Sequence, residues 1–349
     1  MHPVSFAGPT AGPHDRYGRT IAPIHLSAPD LLTMLGVASA RAGLAEQLGG
    51  PLVIELGAPV SIGTHHIDAL QSLPTVLVGL GNAGPATPGA ALVDIVVQID
   101  ALDRVLDVLA TWPLASTAVA MLLRGGASRS VADGLLAESA TYSLLQGGPE
   151  FASWRAAHPV RVRRDTSAQP PVRWARQGAS LEIILARPEV HNALNRSMRD
   201  GLVAALLLAA DDDSVTAIAL RGEGATFCSG GDLDEFGSRP DPATAHLVRL
   251  ARSPAALVHH LSARVTAHVH GACRGSGVEL PAFASRVVAS PTATFGLPEI
   301  GMGLIPGAGG TVSLPRRIGR HRTALLALTM EPVDAPTALR WGLVDAIEP

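Results

Sequence analysis

The sequence predicts an α/β protein in which short buried strands alternate with helices. Its 349 residues are 47% hydrophobic and 16% charged, a composition that can fill a large core. Short runs rich in Val, Ile and Leu, each bounded by Gly or Pro, are typical of buried strands. Between them lie segments whose apolar residues recur at helical spacing. This alternation is typical of layers joined by crossover connections, and the length fits one large domain or two.

The first half of the chain is predicted to contain strands followed by helices. Residues 1–20 mix Pro, Gly, His and Arg, and we expect them to form a poorly ordered lead-in. Further along, Leu102, Val105 and Leu109 repeat at helical spacing, and three helices are expected over roughly residues 100–157. The strands are expected at residues 52–56, 75–80 and 92–98.

A polar, proline-containing stretch at residues 161–172 is the best candidate for a linker. It separates residues 21–160 from a second half, residues 173–349, in which strands and helices alternate. The strands of this half are expected at residues 181–185, 215–221, 265–270 and 286–289, and its helices at residues 195–211, 243–262 and 277–284.

The charge balance and the residue usage exclude several classes of function. The formal net charge is −3, so there is no global positive field to hold a nucleic acid. All 27 basic residues are arginines and lysine is absent from the sequence, so a bound anion must be held by Arg, His or backbone N–H groups. The longest apolar run, residues 202–210, is far shorter than the roughly 20 residues of a membrane span. Two cysteines and the lack of an apolar leader predict a reduced, cytoplasmic protein.

Three glycine-containing segments carry the residues that could perform chemistry: residues 226–233, 270–280 and 295–311. The first two contain Gly-rich turns that follow predicted strands, and backbone N–H groups at such turns can receive an oxyanion. Glu279 lies just inside the helix that the second turn opens, and Glu299 follows 20 residues later. Two carboxylates beside an oxyanion site suit general acid–base chemistry. Turn glycines and surface glutamates would give the same pattern.

Taken as a set, these segments resemble the crotonase (enoyl-CoA hydratase/isomerase) superfamily. The resemblance covers about residues 181–349 and includes the stretches 187–194 and 338–345. It implies a crotonase-like core built as a ββα spiral and an acyl-CoA substrate. It implies no metal or redox cofactor, because coenzyme A enters as part of the substrate. It also implies a homo-oligomer, either a trimer or a hexamer.

The resemblance assigns roles to particular residues. The backbone N–H groups of Gly231 and Ser276 correspond to the pair that polarises the thioester carbonyl. Glu279 and Glu299 correspond to the two glutamates that hydrate a 2-enoyl-CoA to a 3-hydroxyacyl-CoA. Relatives that isomerise a Δ3-enoyl-CoA often keep only the second, so having both favours hydration over isomerisation or another acyl-CoA reaction. The matching substrate-binding positions are Ala193, Ser229, Gly230, Asp232, Leu233, Gly275 and Pro298.

Four positions depart from the family pattern. Ser276 stands where a glycine is usual, and Arg274 stands where relatives have an apolar residue. Glu189 and Asp234 stand where hydratases often carry lysines directed at the CoA phosphates. These reversed charges leave a non-catalytic, acyl-CoA-binding subunit as an alternative. If CoA binds, an arginine must hold its phosphates, and the candidates are Arg187, Arg196 and Arg274.

The order of segments is also unusual for a crotonase. The family's core is usually followed by a helical tail, and this chain ends where that tail would begin. Residues 102–151 resemble such a tail, and the strands before them resemble core strands that lack the active-site motifs. We therefore expect residues 21–160 to be a reduced crotonase-like half whose helices dock where the tail belongs, as in a circular permutation. The alternative is that the chain is a shortened piece of a longer protein.

Overall fold

Strands and helices alternate along the chain, so the predicted α/β class is confirmed. The predicted lead-in, residues 1–20, and most of the predicted linker lie outside the residues that the structure describes. The proposed boundary between the two halves stays a prediction. The computed structural model describes residues 22–46, 50–57, 59–81, 87–161, 169–238 and 241–349.

The strands are, in chain order, β1 (Ile24–Ser27), β2 (Leu52–Glu55), β3 (Leu77–Leu80), β4 (Ile95–Val97), β5 (Val172–Gln177), β6 (Ser180–Leu185), β7 (Ala217–Gly222), β8 (Val265–Val269), β9 (Ala272–Arg274), β10 (Arg286–Ala289), β11 (Thr294–Gly296), β12 (Val333–Asp334) and β13 (Ala346–Ile347). They form a first sheet ordered β1-β2-β3-β4, a second ordered β13-β10-β8-β7-β6-β5, and a third ordered β12-β11-β9. The first sheet is parallel throughout, and the second is parallel except for the pair β5–β6. Strands β2 to β4 are mostly buried, which fits their nearly continuous apolar sequences. Strands β6 to β8 alternate buried residues with more exposed ones.

The helices are α1 (Ala28–Gly36), α2 (Ala38–Ala45), α3 (Thr64–Gln71), α4 (Ile99–Thr111), α5 (Pro113–Arg124), α6 (Val131–Gln146), α7 (Pro149–Ala157), α8 (Arg196–Ala210), α9 (Pro242–Ala251), α10 (Pro254–His260), α11 (Ser276–Glu279), α12 (Gly310–Ile318), α13 (Arg320–Thr329) and α14 (Ala335–Trp341). Among the described residues, no single helix is long and apolar enough to cross a membrane. Together α4 and α5 pass that test by length and composition, and they are bent by 106° at their junction.

Two arginines tie the first sheet to the helices around it. Arg124, at the end of α5, donates from Nε to Oδ1 of Asp94 at 2.8 Å and from Nη1 to the carbonyl oxygen of Leu70 at 2.9 Å. Arg320, at the start of α13, donates to the carbonyl oxygen of Val93 at 2.8 Å. The first sheet is therefore anchored by charge-assisted hydrogen bonds from both halves of the chain.

Helices α4 to α7 pack against the second half. Helix α6 lies on α9 and α12, helices α4 and α5 lie on α13, and α7 lies on a 3₁₀ turn at Glu299–Met302. A continuous cluster of buried side chains includes Val105 and Val119 from the first half and Leu314 and Leu328 from the second. These helices therefore lie beside the segment that carries Glu299. That they replace the family's tail stays a prediction.

Three predictions about helices are wrong in detail. Four helices rather than three follow β4, because Gly147 ends α6 and Pro149 begins α7. The helix expected at residues 243–262 is divided into α9 and α10, because Ser253 caps α10 through its side chain. The helix expected at residues 277–284 ends after the single turn of α11.

Candidate active site

A cleft of about 200 Å³ opens at the C-terminal half of the fold. Its lining includes all four residues that the sequence assigns to catalysis, namely Gly231, Ser276, Glu279 and Glu299. Helix α6 contributes Tyr142 to the same lining. The walls of the cleft therefore come from both halves of the chain.

The turn that follows β7 places Gly231 on the cleft. Hydrogen bonds on either side hold this turn against the start of α8: Leu194 N–H donates to Gly230 O at 2.8 Å, and Asp232 N–H donates to Leu194 O at 3.1 Å. Within the described residues, the N–H group of Gly231 donates no hydrogen bond. A Cβ at this position would lie 2.5 Å from Cε1 of Phe236, so close packing requires a glycine.

A second N–H group lies at Ser276, the first residue of α11. Gly275 precedes it with a φ of 49°, a left-handed conformation that favours glycine. In the part of the chain that the structure describes, the N–H group of Ser276 donates no hydrogen bond. The Oγ atom of Ser276 lies 3.5 Å from Sγ of the buried Cys228. Ser276 stands where the family pattern has a glycine, and its hydroxyl is thus paired with a buried thiol.

Glu279 ends α11 and is 2% exposed. Its Oε2 accepts hydrogen bonds from the N–H groups of Ala308 and Gly310, both at 2.8 Å. These donors belong to the loop that leads into α12. A Cβ at position 310 would lie 2.7 Å from Cγ of Glu279, so the loop approaches the carboxylate as closely as only glycine allows.

Glu299 opens the 3₁₀ turn that follows β11 and is 7% exposed. A Cβ on Gly275 would lie 2.5 Å from its Oε1 and 3.7 Å from Oε1 of Glu279, so both carboxyl groups approach the same glycine. Among the described residues, Oε2 of Glu299 is buried and has no hydrogen-bond partner. Leaving a buried carboxyl oxygen unpaired costs free energy. This oxygen is therefore available to a group that enters the cleft.

The two carboxyl groups have raised pKa values. Burial, followed by repulsion from Glu299 and from Glu138, raises the pKa of Glu279 well above its ordinary value. Burial also raises the pKa of Glu299, to about 8. A pKa of about 8 leaves the Glu299 carboxyl mostly protonated at neutral pH, so the pair includes a carboxyl that can donate a proton.

The second half of the chain matches a family of known enzymes. The family model described as enoyl-CoA hydratase/isomerase matches residues 175–349, which is half of the chain. The chain belongs to the enoyl-CoA hydratase/isomerase family. This result confirms the resemblance to the crotonase superfamily and the enzymatic class, and it assigns acyl-CoA chemistry of the crotonase type.

Relatives within the enoyl-CoA hydratase/isomerase family match the same half. The chain is 35% identical over 175 residues to the 2,3-dehydroadipyl-CoA hydratase of Escherichia coli (strain K12), covering 50% of this chain and 68% of that protein. It is 39% identical over 163 residues to a probable enoyl-CoA hydratase of Rhodobacter capsulatus, covering 46% of this chain and 62% of that protein. A solved enoyl-CoA hydratase from Thermoplasma volcanium GSS1 has a TM-score of 0.48 and 33% identity, covering 52% of this chain and 72% of that chain.

The three candidate arginines for the CoA phosphates of such a substrate differ in their existing contacts. Arg187 forms an ion pair with Asp232 at 3.1 Å, and Arg274 donates to the carbonyl oxygen of Thr294 at 3.0 Å. Arg196 is exposed and lines the cleft. In the described ranges, its guanidinium makes no hydrogen bond or ion pair. Arg196 is therefore the candidate that can take a phosphate without giving up a partner.

The carboxylates of Glu189 and Asp234, which replace the expected lysines, differ in exposure and in their partners. Glu189 is exposed. Asp234 is half-buried, and its Oδ1 accepts the N–H of Arg161 at 3.0 Å. Arg155 also interacts favourably with its charge. Arginines from the first half of the chain therefore offset the carboxylate that stands where this family often has a lysine.

Among the predicted substrate-binding residues, Asp232 lines the cleft. The others are not part of the lining, and their binding roles stay predictions. Sequence reasoning missed the contribution of α6 and α9, which bring Tyr142, Gln146 and Arg249 to the lining. Among the described residues, no group of three or more His, Cys, Asp or Glu side chains could hold a metal ion. The predicted residues outside the lining are Ala193, Ser229, Gly230, Leu233, Gly275 and Pro298.

Proposed function

We propose that this protein adds water to a 2-enoyl-CoA thioester and forms a 3-hydroxyacyl-CoA. One observation carries the proposal: two N–H groups that are unpaired among the described residues line the same cleft as two buried carboxyl groups. The N–H groups of Gly231 and Ser276 donate hydrogen bonds to the thioester oxygen, where negative charge develops as water adds. Removing one such donor typically costs about 3–4 kcal/mol of transition-state stabilisation.

The two glutamates carry the protons. The oxygen of water bonds to C3 while one carboxylate takes a proton from that water. The electron pair of the C2=C3 double bond then takes a proton at C2 from the other carboxyl group. The pair needs one proton between its members at the start, and the raised pKa values of Glu279 and Glu299 provide it at neutral pH.

We further propose that Arg196 holds a phosphate of the CoA moiety. An arginine grips phosphate through two parallel hydrogen bonds. Arg196 opens α8, and its backbone N–H donates to Oε2 of Glu235 at 2.7 Å. That bond fixes the backbone and leaves the guanidinium free for the ligand. Assembly as a trimer or hexamer and a cytoplasmic location remain predictions.

Isomerisation of a Δ3-enoyl-CoA is the second candidate. A single carboxylate can move a proton from C2 to C4, and Glu299 has the unpartnered oxygen for it. Oε2 of Glu279, by contrast, is already bonded to two N–H groups. The two reactions therefore differ in whether Glu279 touches a reacting atom.

Assays with 2-enoyl-CoA and 3-enoyl-CoA thioesters of several chain lengths distinguish these functions. Loss of the conjugated enoyl absorbance from crotonyl-CoA or a longer 2-enoyl-CoA is the expected result. Absence of turnover on every 2-enoyl chain length overturns the hydratase proposal. A gain of that absorbance from a 3-enoyl-CoA would identify an isomerase, whereas acyl-CoA binding without either reaction would identify a non-catalytic subunit.

A further inference from the structure

Two buried glutamates share four successive backbone N–H groups at the start of α12. In the stretch 308–311, the first and third N–H groups donate to Oε2 of Glu279, both at 2.8 Å. The second donates to Oε1 of Glu138 at 2.7 Å, and the fourth donates to Oε2 of Glu138 at 2.8 Å. The donors therefore alternate between the two acids along the loop.

Glu138 reaches this loop from the first half of the chain. It lies on α6, is 2% exposed, and is separated from its partners by 171 to 173 residues. The hydroxyl of Thr311 donates a third hydrogen bond to it at 2.7 Å. Arg249 of α9 holds α6 in place: its Nε donates to Oγ of Ser139 at 3.1 Å, and its guanidinium lies 4.7 Å from the ring centre of Tyr142.

We propose that Glu138 is a positioning residue that holds the loop at 308–311 in the register that binds Glu279. The idea rests on the proposed function, because it treats Glu279 as one of the acid–base pair. Glu138 fixes the N–H groups of residues 309 and 311. The loop can then present the N–H groups of residues 308 and 310 to Glu279. The half of the chain without active-site motifs therefore completes the active site.

The charge of Glu138 acts on the same pair. Thr311 faces it from α12, Arg249 from α9, and Glu279 and Glu299 from the cleft. Burial raises the pKa of Glu138 to about 7, while its hydrogen bonds and Arg249 act in the opposite direction. Repulsion from Glu138 contributes to the raised pKa values of Glu279 and Glu299. A neutral side chain at position 138 should therefore lower both pKa values.

The first experiment compares Glu138→Gln with the wild-type protein. The amide keeps the size of the side chain, removes its charge, and offers one acceptor oxygen to three donors. We expect kcat for a 2-enoyl-CoA to fall about tenfold or more, because the loop no longer holds Glu279 in register. Both limbs of the plot of kcat/KM against pH should move to lower pH. The Kd for butyryl-CoA, a saturated analogue, should change far less than kcat.

Glu150→Gln is the matched control. Glu150 is 3% exposed and lies on α7, and it accepts the N–H groups of Leu114 and Ala115 at 2.7 and 3.1 Å. Like Glu138, it is therefore a buried acid that accepts backbone N–H groups at the start of a helix, and it lies in the same half of the chain. Both variants should lose thermal stability, and only Glu138→Gln should move the pH profile. Equal effects on the pH profile, or none, overturn the proposal.

A measurement without turnover separates this idea from the proposed function. Titration of the Glu279 carboxyl by ¹³C NMR, assigned by the signal lost in Glu279→Gln, should give a lower pKa in Glu138→Gln. Amide hydrogen exchange at Ala308 and Gly310 that is no faster in Glu138→Gln than in the wild type overturns the positioning role even where hydration is observed. A wild-type protein without turnover overturns the hydratase proposal alone. Thr311→Val, which removes one of the three hydrogen bonds, should shift the Glu279 pKa in the same direction by less, and it replaces Glu138→Gln if that variant does not fold.

Discussion

The first sheet differs from the second and third sheets in how the buried polar groups beside it are satisfied. At the first sheet, Asp94 is 2% exposed, and its carboxylate accepts hydrogen bonds from Arg124 and from the N–H of Leu77. At the second and third sheets, the turns that follow β7, β9 and β11 carry N–H groups and a Glu299 oxygen that, within the described residues, have no partner. The first and second sheets are both mostly parallel, so strand direction alone does not distinguish them.

This difference separates stability from chemistry. A buried polar group that is fully paired recovers most of the free energy of leaving water, whereas an unpaired one does not. The first sheet has the arrangement of a structural unit. The second and third sheets keep groups that are unpaired among the described residues at one cleft, where a substrate can pair with them. Each prediction below tests one side of this contrast.

The largest effect is expected from Glu299→Gln, which removes a proposed acid–base group beside the third sheet. Turnover of a 2-enoyl-CoA should fall by about 10²–10⁴-fold, the range for one general acid or base. The measurement is steady-state kcat on the folded variant. Glu182→Gln, at a surface ion pair with Arg221, is the control and should retain activity. Full activity of Glu299→Gln would remove this residue from the acid–base pair.

Arg124→Met should reduce stability and leave chemistry unchanged. The substitution removes the cation that hydrogen-bonds to the buried Asp94 and leaves it with Arg320 at 3.8 Å. Breaking a buried pair costs about 3–5 kcal/mol. The change in the free energy of unfolding can be measured with urea. Arg104→Met breaks an exposed pair with Glu331 and should cost less than about 1 kcal/mol. A folded Arg124→Met protein that has lost kcat would show that the first sheet is coupled to the cleft.

The dependence of stability on pH sharpens the contrast further. Burial raises the pKa of Glu138 to about 7 and that of Glu299 to about 8, from an ordinary value of 4.5. Between the ordinary and the raised pKa of each group, the folded chain binds more protons there than the unfolded chain does. These two groups therefore make the free energy of unfolding fall as pH rises. Urea unfolding at pH 5, 6.5 and 8 should therefore show Glu299→Gln gaining stability relative to wild type as pH rises. A constant difference across these pH values would contradict the raised pKa.

The smallest effect is expected from Arg196→Gln at the rim of the cleft. Loss of one exposed phosphate contact should raise KM for an enoyl-CoA roughly fivefold, or about 1 kcal/mol, with kcat unchanged. Added salt should raise the KM of the wild type more than that of the variant. Salt screens the contact between Arg196 and the phosphate, and the variant lacks that contact. Arg173→Gln, at an exposed pair with Glu223, is the control. Identical salt dependence of the two proteins would contradict a phosphate contact at Arg196.

Most strands could be predicted from the sequence because buried parallel strands are nearly continuous apolar runs. Strand β5 could not, because it is antiparallel to its neighbour and mostly exposed, and it carries Arg173 and Arg176. Strand β1 was also missed, since it is a half-buried edge strand. Helix breaks at Pro149 and Ser253 depend on local caps, which overrode an apolar periodicity that continued through them.

That the four positions proposed for catalysis line one cleft could be predicted, because motifs local in sequence carry them and the turns at Gly231 and Ser276 fold locally. The contribution of α6 could not, because nothing near Glu138 in the sequence indicates a partner. Its one signal is a carboxylate within a helix that otherwise contains few charges. A buried acid implies donors elsewhere, but the sequence does not say that they lie at residues 308–311.

The long separation between Glu138 and its loop has a consequence for synthesis. Helix α6 emerges from the ribosome before Thr311, which lies 173 residues later in the chain. At about 5–20 residues per second, that delay is roughly 10–35 s. During this interval α6 has a carboxylate and an apolar face whose partners have not yet been translated. A chaperone or a wrong partner would therefore compete for the nascent first half, and the candidate active site forms only after Thr311 has been translated.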